Sequence, residues 1–208
     1  MGLRRTLAWP FEWLQLPSYL DSDRSDTHGQ LVTCSRFETR SMPIDSLDKI
    51  PLLYHFTDRR NLDSIRQNGG LRPYSDLVKK GIAIPAPGGN QWSHDADAMF
   101  GVDRYVHLCF RNQHPMEYAA RQDGRITDSI FLQIHPSVLQ IPGVLFTDDV
   151  SNKSGVIPVP IASAVIDYEV LYTRTDWTDP AIQQRLRQIE KSEVLVPACI
   201  PLSHIRNI

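Results

Sequence analysis

Residues 51–71 read PLLYHFTDRRNLDSIRQNGGL, and this stretch decides the fold. The apolar run LLYHF suits a short strand. Leu62 and Ile65 then recur at helical spacing, and Gly69 and Gly70 supply a stop. The pattern predicts strand, turn, helix and glycine cap. Downstream, residues 79–103 contain PAPGGN and few periodic apolar positions, so a long loop is expected there, and long loops in compact domains are usually functional. RYVHLCF (104–110) alternates as a strand, HPMEYAARQDG (114–124) reads as a short helix ending at Gly124, and SIFLQIHPSVL (129–139) runs as a strand into a turn at Pro136. GVLFT (143–147) and AVIDYEVLY (164–172) suggest further strands. TDPAIQQRLRQIEK (178–191) carries a helix capped by Thr178 or Asp179 beside Pro180, and EVLVPACIPL (193–202) closes as strand. Strands interrupted by short helices, without strict alternation, favour an α+β architecture.

Residues 1–47 differ in character from the remainder of the chain. Trp9, Phe11, Trp13, Leu14 and Leu16 form a small aromatic cluster ahead of the polar stretch SDRSDTHG (22–29), which suggests an extension packing on a main domain at 48–208. The 208 residues carry 41% hydrophobic and 22% charged side chains, as a globular domain should. A formal net charge of -2 gives no global attraction to nucleic acid. Three widely spaced cysteines, Cys34, Cys109 and Cys199, argue against a zinc site or a disulfide framework, and the expected compartment is the cytoplasm. No apolar stretch approaches the roughly 20 residues of a membrane span. No GxGxxG or GxxxxGK[ST] phosphate loop is present.

Three residues carry candidate chemistry. His55 and Thr57 lie directly before a helix, where both can face a ligand near its N-terminus; a lone histidine in an apolar strand is, however, more often a satisfied core residue. Glu193 opens an apolar strand, from which a carboxylate can project at a sheet edge into a cleft, although a solvated glutamate is the commoner outcome. His94, Asp95, Asp97, His107 and His114 lack the i, i+4 pairing that would organise a metal, so none is expected.

Taken in order, YHFTDRRNL, HPMEYA and KSEVLVPACIPL resemble the DarT family of DNA ADP-ribosyltransferases, which opens with Tyr-His-x-Thr-x-x-x-Asn-Leu and closes with a Lys-x-Glu-x-Leu-Val strand. The resemblance covers about residues 50–208. It implies an ADP-ribosyltransferase fold, a split mixed β-sheet with a central NAD cleft and short flanking helices. It assigns His55, Thr57 and Asn61 to NAD and Glu193 as the catalytic carboxylate, with nicotinamide leaving and no metal. The acceptor it implies is a base of single-stranded DNA, since a base stacked in a duplex cannot enter a closed cleft. Tyr74, Trp92 and Phe100 are then candidates for stacking on bases, and Lys79, Lys80 and Arg104 for touching phosphates, beside the plainer reading of the aromatics as loop anchors. The family's arginine before the middle strand has only Arg104 as its substitute here, or is lost. A role as a toxin or in phage defence, and a macrodomain antitoxin as partner, are further implications. A catalytically silent nucleic-acid or partner-binding module, and an enzyme acting on RNA or protein, remain as other classes.

Overall fold

The computed structural model describes residues 47–197 and 199–208. The extension read at residues 1–47 lies, apart from Leu47, outside the described residues. The deciding stretch folds as its pattern predicts: β1 (Leu53–Asp58), a 3-10 turn at Arg59–Asn61, α1 (Leu62–Gln67) and β2 (Gly70–Leu71). Next along the chain come α2 (Tyr74–Lys79), α3 (Gln91–Phe100), β3 (Val106–Cys109), α4 (Pro115–Gln122), β4 (Ser129–Ile134), β5 (Leu145–Thr147), β6 (Val159–Pro160), α5 (Tyr168–Tyr172), α6 (Pro180–Ile189), β7 (Glu193–Val196) and β8 (Ile200–Pro201). Six strands form one sheet in the order β4-β1-β3-β7-β5-β6, and β2 pairs with β8 in a second, two-stranded sheet. The α+β class is as expected. Every pairing between these strands is antiparallel, so the sheet is antiparallel rather than mixed.

Three local expectations are corrected. The region 79–103 is not one long loop, because α3 occupies ten of its residues. Asn90 starts that helix by accepting a hydrogen bond from the Ser93 amide, and Gly101 ends it in the left-handed region at φ 68°. Only Ser93 and Ala96 of α3 are buried, so the apolar stripe that marks most helices is missing from its sequence. AVIDYEVLY is not a strand: the Asp167 side chain accepts from the Val170 amide and starts α5, a cap that overrides the β-branched composition. EVLVPACIPL divides between the two sheets, with β7 buried at all four residues.

Two features position the site. β7 lies inside the sheet between β3 and β5, so its first residue, Glu193, opposes Cys109 on one side and Thr147 on the other. That is an interior place, not the sheet edge. β1 and β4 share six register pairs, whereas β1 and β3 pair only at Tyr54 and Cys109. The sheet is therefore open between β1 and β3. Asp58 fixes the end of β1, with its fully buried carboxylate accepting from the Arg60, Thr127 and Asp128 amides and from the Arg60 guanidinium. Those donors hold its carboxyl well below the usual range. Of the described cysteines, Cys109 is a free, buried thiol, while Cys199 is disulfide-bonded, against expectation. No helix among the described residues is long and apolar enough to cross a membrane.

Gly70 joins the sheets at a place where no side chain fits. Its φ is +145°, and a Cβ there would lie 2.0 Å from the Ile200 carbonyl oxygen. Gly70→Ala is therefore expected to lower unfolding stability by at least about 2 kcal/mol, through strain and the separation of β2 from β8, read as a shift in the urea midpoint.

Candidate active site

A cavity of about 230 Å³ opens beside the gap between β1 and β3. Its wall includes His55, Thr57 and Asn61, residues of α1 to α3, the loop at 84–89, His107, the segment Val150–Asn152, and Glu193. At its floor Glu193 is only 5% exposed. Such a carboxylate must be paired or lose its charge.

The partner is His107, which shares a sheet face with Glu193 as its diagonal neighbour across β3 and β7. His107 Nδ1 lies 3.2 Å from Glu193 Oε2, and Nε2 lies 3.1 Å from the Val102 carbonyl oxygen. Both oxygens can only accept, so both ring nitrogens carry hydrogen and the ring is an imidazolium. The electrostatics agree. Burial alone would raise the Glu193 carboxyl, but the hydrogen bond and charge of His107, with His114 and Ser151, bring it down to about 2. Burial alone would lower His107, but Glu193, Asp97 and Val102 lift it to about 9. The Ser151 amide donates to the same Oε2 at 3.2 Å, and Ser151 Oγ lies 3.2 Å from His107 Nδ1. His114 behaves differently. Its Nδ1 accepts from the Met116 amide, which leaves the hydrogen on Nε2, 3.5 Å from Glu193 Oε1. Burial lowers its pKa, so this is a long contact from a neutral ring rather than an ion pair.

On the opposite wall, His55 Nδ1 donates to the His107 carbonyl oxygen at 3.0 Å, crossing the gap where strand pairing stops. Burial lowers the pKa of His55, so the ring is neutral and Nε2 is an acceptor. Asn61 donates through Nδ2 to Thr57 Oγ1 at 3.0 Å and to the Ala86 carbonyl at 2.7 Å, while Oδ1 accepts from the Ala86 amide at 2.9 Å. Its amide thus pairs with the loop backbone as a strand neighbour would. Gly89 lets that loop close on α3, since a Cβ there would come within 2.8 Å of the His94 ring. His94 in turn stacks on Tyr74, with ring centroids 3.8 Å apart and planes 4° from parallel.

The structure gathers His55, Thr57, Asn61, Tyr74 and Glu193 around one cavity. It does not bring Arg104 there: that side chain is exposed, and its guanidinium lies 5.5 Å from the Tyr105 ring centre. Lys79 and Lys80 are exposed at the end of α2, Lys80 paired with Asp76, and Trp92 and Phe100 are 70% and 38% exposed on α3. Sequence reasoning missed His107, Ser151, Asp97 and Arg72 as wall residues. For His107 the signal was its place in an alternating strand ending opposite Glu193; for the others no local pattern exists. Arg72 is the one arginine or lysine among the described wall residues, with its side chain 7% exposed and paired with Asp76 at 3.0 Å.

The DarT family profile, described as ssDNA thymidine ADP-ribosyltransferase, matches residues 54–208. The chain belongs to the DarT family. The activity that goes with this membership is NAD-dependent ADP-ribosylation of single-stranded DNA. Solved structures share the fold. DarT of Thermus sp. 2.9 in complex with ADP-ribosylated ssDNA is 19% identical, with 81% of this chain and 82% of that chain covered and a TM-score of 0.57. The same protein in complex with NAD+ is 20% identical, with 76% and 80% covered and a TM-score of 0.51. DarTG of Thermosipho africanus in complex with ADP-ribose is 16% identical, with 74% of this chain and 42% of that chain covered and a TM-score of 0.56. No curated protein matches the sequence significantly.

The dyad sets a pH window. Glu193, lowered from 4.5 to about 2, contributes stability that is complete above pH 4.5 and lost as pH falls through about 2. His107, raised from 6.5 to about 9, contributes stability that is complete below pH 6.5 and lost as pH rises through about 9. Urea unfolding of His107→Gln should accordingly show a loss of roughly 3 kcal/mol near pH 6 and a shallower decline toward pH 9 than the unaltered protein.

Proposed function

We propose that the cavity holds NAD with its nicotinamide-side ribose against Glu193 and passes ADP-ribose to a thymine base of a single DNA strand. The observation that carries this reading is a buried carboxylate held anionic on a cavity floor. As the bond between ribose and nicotinamide breaks, positive charge moves from the nicotinamide ring onto the sugar C1, and a fixed negative group beside C1 stabilises it more there than in the ground state. The same carboxylate accepts from ribose hydroxyls and so orients the sugar. Nicotinamide leaves with the bonding electron pair.

His55 and Thr57 line the NAD side of the cleft in this reading, with His55 Nε2 accepting from a ribose hydroxyl. Asn61 acts mainly by holding the loop at Ala86 in place, and Arg72 supplies positive charge for the pyrophosphate. Arg104 stands outside the cavity and is reassigned from catalysis to phosphate contact, the role also given to Lys79 and Lys80. Trp92 and Phe100, exposed on α3, offer flat surfaces on which unpaired bases stack without sequence choice. A macrodomain that removes ADP-ribose from DNA is the partner this activity calls for, and a cytoplasmic toxin or phage-defence role fits it.

The test incubates the protein with NAD and single-stranded oligonucleotides, with or without thymidine, and reads the added ADP-ribose by mass spectrometry. A mass gain confined to thymidine-containing strands is expected, and Glu193→Gln should reduce it at least about 100-fold while leaving the unfolding midpoint within reach of the parent. Product on RNA or protein alone would reassign the acceptor, and no product with any of them would leave a binding module. Trp92→Ala should raise the KM for single-stranded DNA about 10-fold with kcat little changed, as the loss of one stacking platform requires.

A further inference from the structure

We propose that His107 is a positioning residue for the reaction: it occupies one oxygen of Glu193 so that the other alone meets the sugar, and the reaction stops where the ring gives up its second hydrogen. This rests on the reading that Glu193 activates NAD in the same cavity.

His107 is pinned at three points. Its carbonyl oxygen accepts from His55 Nδ1 at 3.0 Å, its Nε2 donates to the Val102 carbonyl at 3.1 Å, and its Nδ1 donates to Glu193 Oε2 at 3.2 Å. Ser151 closes the same corner, with its amide donating to Oε2 and its Oγ 3.2 Å from Nδ1. A ring anchored to the backbone on one side and to β1 on the other cannot follow the carboxylate, so the carboxylate is held where the ring puts it.

This arrangement makes the two oxygens of Glu193 unequal. Oε2 receives two N–H groups, from His107 and from Ser151. Oε1 has, among the described residues, only the 3.5 Å contact with His114 Nε2, which is too long to give that nitrogen a hydrogen-bond partner. Glu193 and His107 both line the cavity, and the His107 side chain is 28% exposed. A sugar hydroxyl that reaches the floor therefore finds its acceptor in Oε1, at a place set by the contact on Oε2.

Only the doubly protonated ring can do this. The Val102 carbonyl and the Glu193 carboxylate both accept and neither donates, so a neutral imidazole with one N–H serves one of them and turns a lone pair on the other. Either way the carboxylate is no longer fixed to the backbone through the ring. The titratable groups that face His107 are Glu193 from β7, Asp97 from α3, His55 from β1 and His114 ahead of α4. Burial lowers the pKa of both His55 and His114, so they stay neutral. Burial also lowers the proton affinity of His107, but Glu193, Asp97 and the Val102 carbonyl more than offset it, and the ring keeps its second hydrogen up to about pH 9.

The experiment follows product on oligo-dT and nicotinamide release from NAD across pH for the full chain, His107→Asn and His107→Leu, with the folded fraction read by circular dichroism at every pH. His107→Asn puts an amide donor near the place of Nδ1 but carries no charge and does not titrate, and His107→Leu supplies no donor. In the parent, kcat should fall about 10-fold per pH unit above about pH 9 while the chain stays folded. His107→Asn should keep kcat within about 10-fold of the parent near neutral pH and lack that fall, whereas His107→Leu should lose at least about 100-fold in kcat with the KM for NAD within about 3-fold. Ionisation of the acceptor base acts on the parent and on His107→Asn alike, so the difference between their profiles belongs to His107. A parent without the alkaline fall, a His107→Asn that shares it, or a folded His107→Leu with the parental kcat overturns the proposal. A His107→Leu that does not fold leaves the decision to the other two. An unaltered protein that neither releases nicotinamide nor modifies any strand fails the cavity reading itself, an outcome separate from each of these.

Discussion

A charged carboxylate inside a β-sheet is the constraint on which the rest of this structure depends. Glu193 begins an interior strand and is almost closed to water. Removing an ion from water costs several kcal/mol even after relaxation, and only a partner of opposite charge with good geometry offsets it. His107 is that partner, and it is held on both nitrogens, by Glu193 on one side and the Val102 carbonyl on the other. Val102 comes just after α3, and Ser151 belongs to the segment after β5. One ion pair thereby ties together the end of α3, strands β3 and β7, and the segment that closes over them.

The gap beside it is equally constrained. Had β1 and β3 paired along their length, no cavity would exist at the middle of the sheet. They part after Tyr54 and Cys109, and the His55 ring crosses the opening to the His107 carbonyl. A side chain thus takes over a backbone hydrogen bond, which satisfies a polar group that the split would otherwise orphan. Asn61 does the corresponding service for the loop at Ala86. Groups that line the cavity are in this way fixed by the same contacts that keep it open.

This logic explains what the sequence could and could not convey. The opening strand, turn and helix were legible because the apolar run LLYHF, the helical spacing of Leu62 and Ile65 and the stop at Gly69 and Gly70 are local signals. His55, Thr57 and Glu193 were legible through the ordered resemblance, and all three reach the cavity. α3 was not, since a helix that buries little has no stripe to read, and its start depends on one cap at Asn90. α5 was misread because β-branched residues outvoted a single capping aspartate. His107, Ser151 and Asp97 come from three distant segments, and their meeting is a property of strand register that no window of sequence contains. Arg104 shows the converse: a residue of the right type near the right strand points outward, since its position relative to the turn, not its identity, sets its direction.

The charges of the cavity form a connected set. Glu193 adds to burial in raising the proton affinity of Asp97. The imidazolium of His107 lowers the proton affinity of both. Its effect is unequal because it is hydrogen-bonded to Glu193 and acts on Asp97 only through space. Glu193 therefore receives the direct bond. Burial leaves the Asp97 carboxyl raised above its ordinary value. One histidine, placed two residues along a strand from the position opposite the glutamate, is sufficient to set the two carboxyls apart.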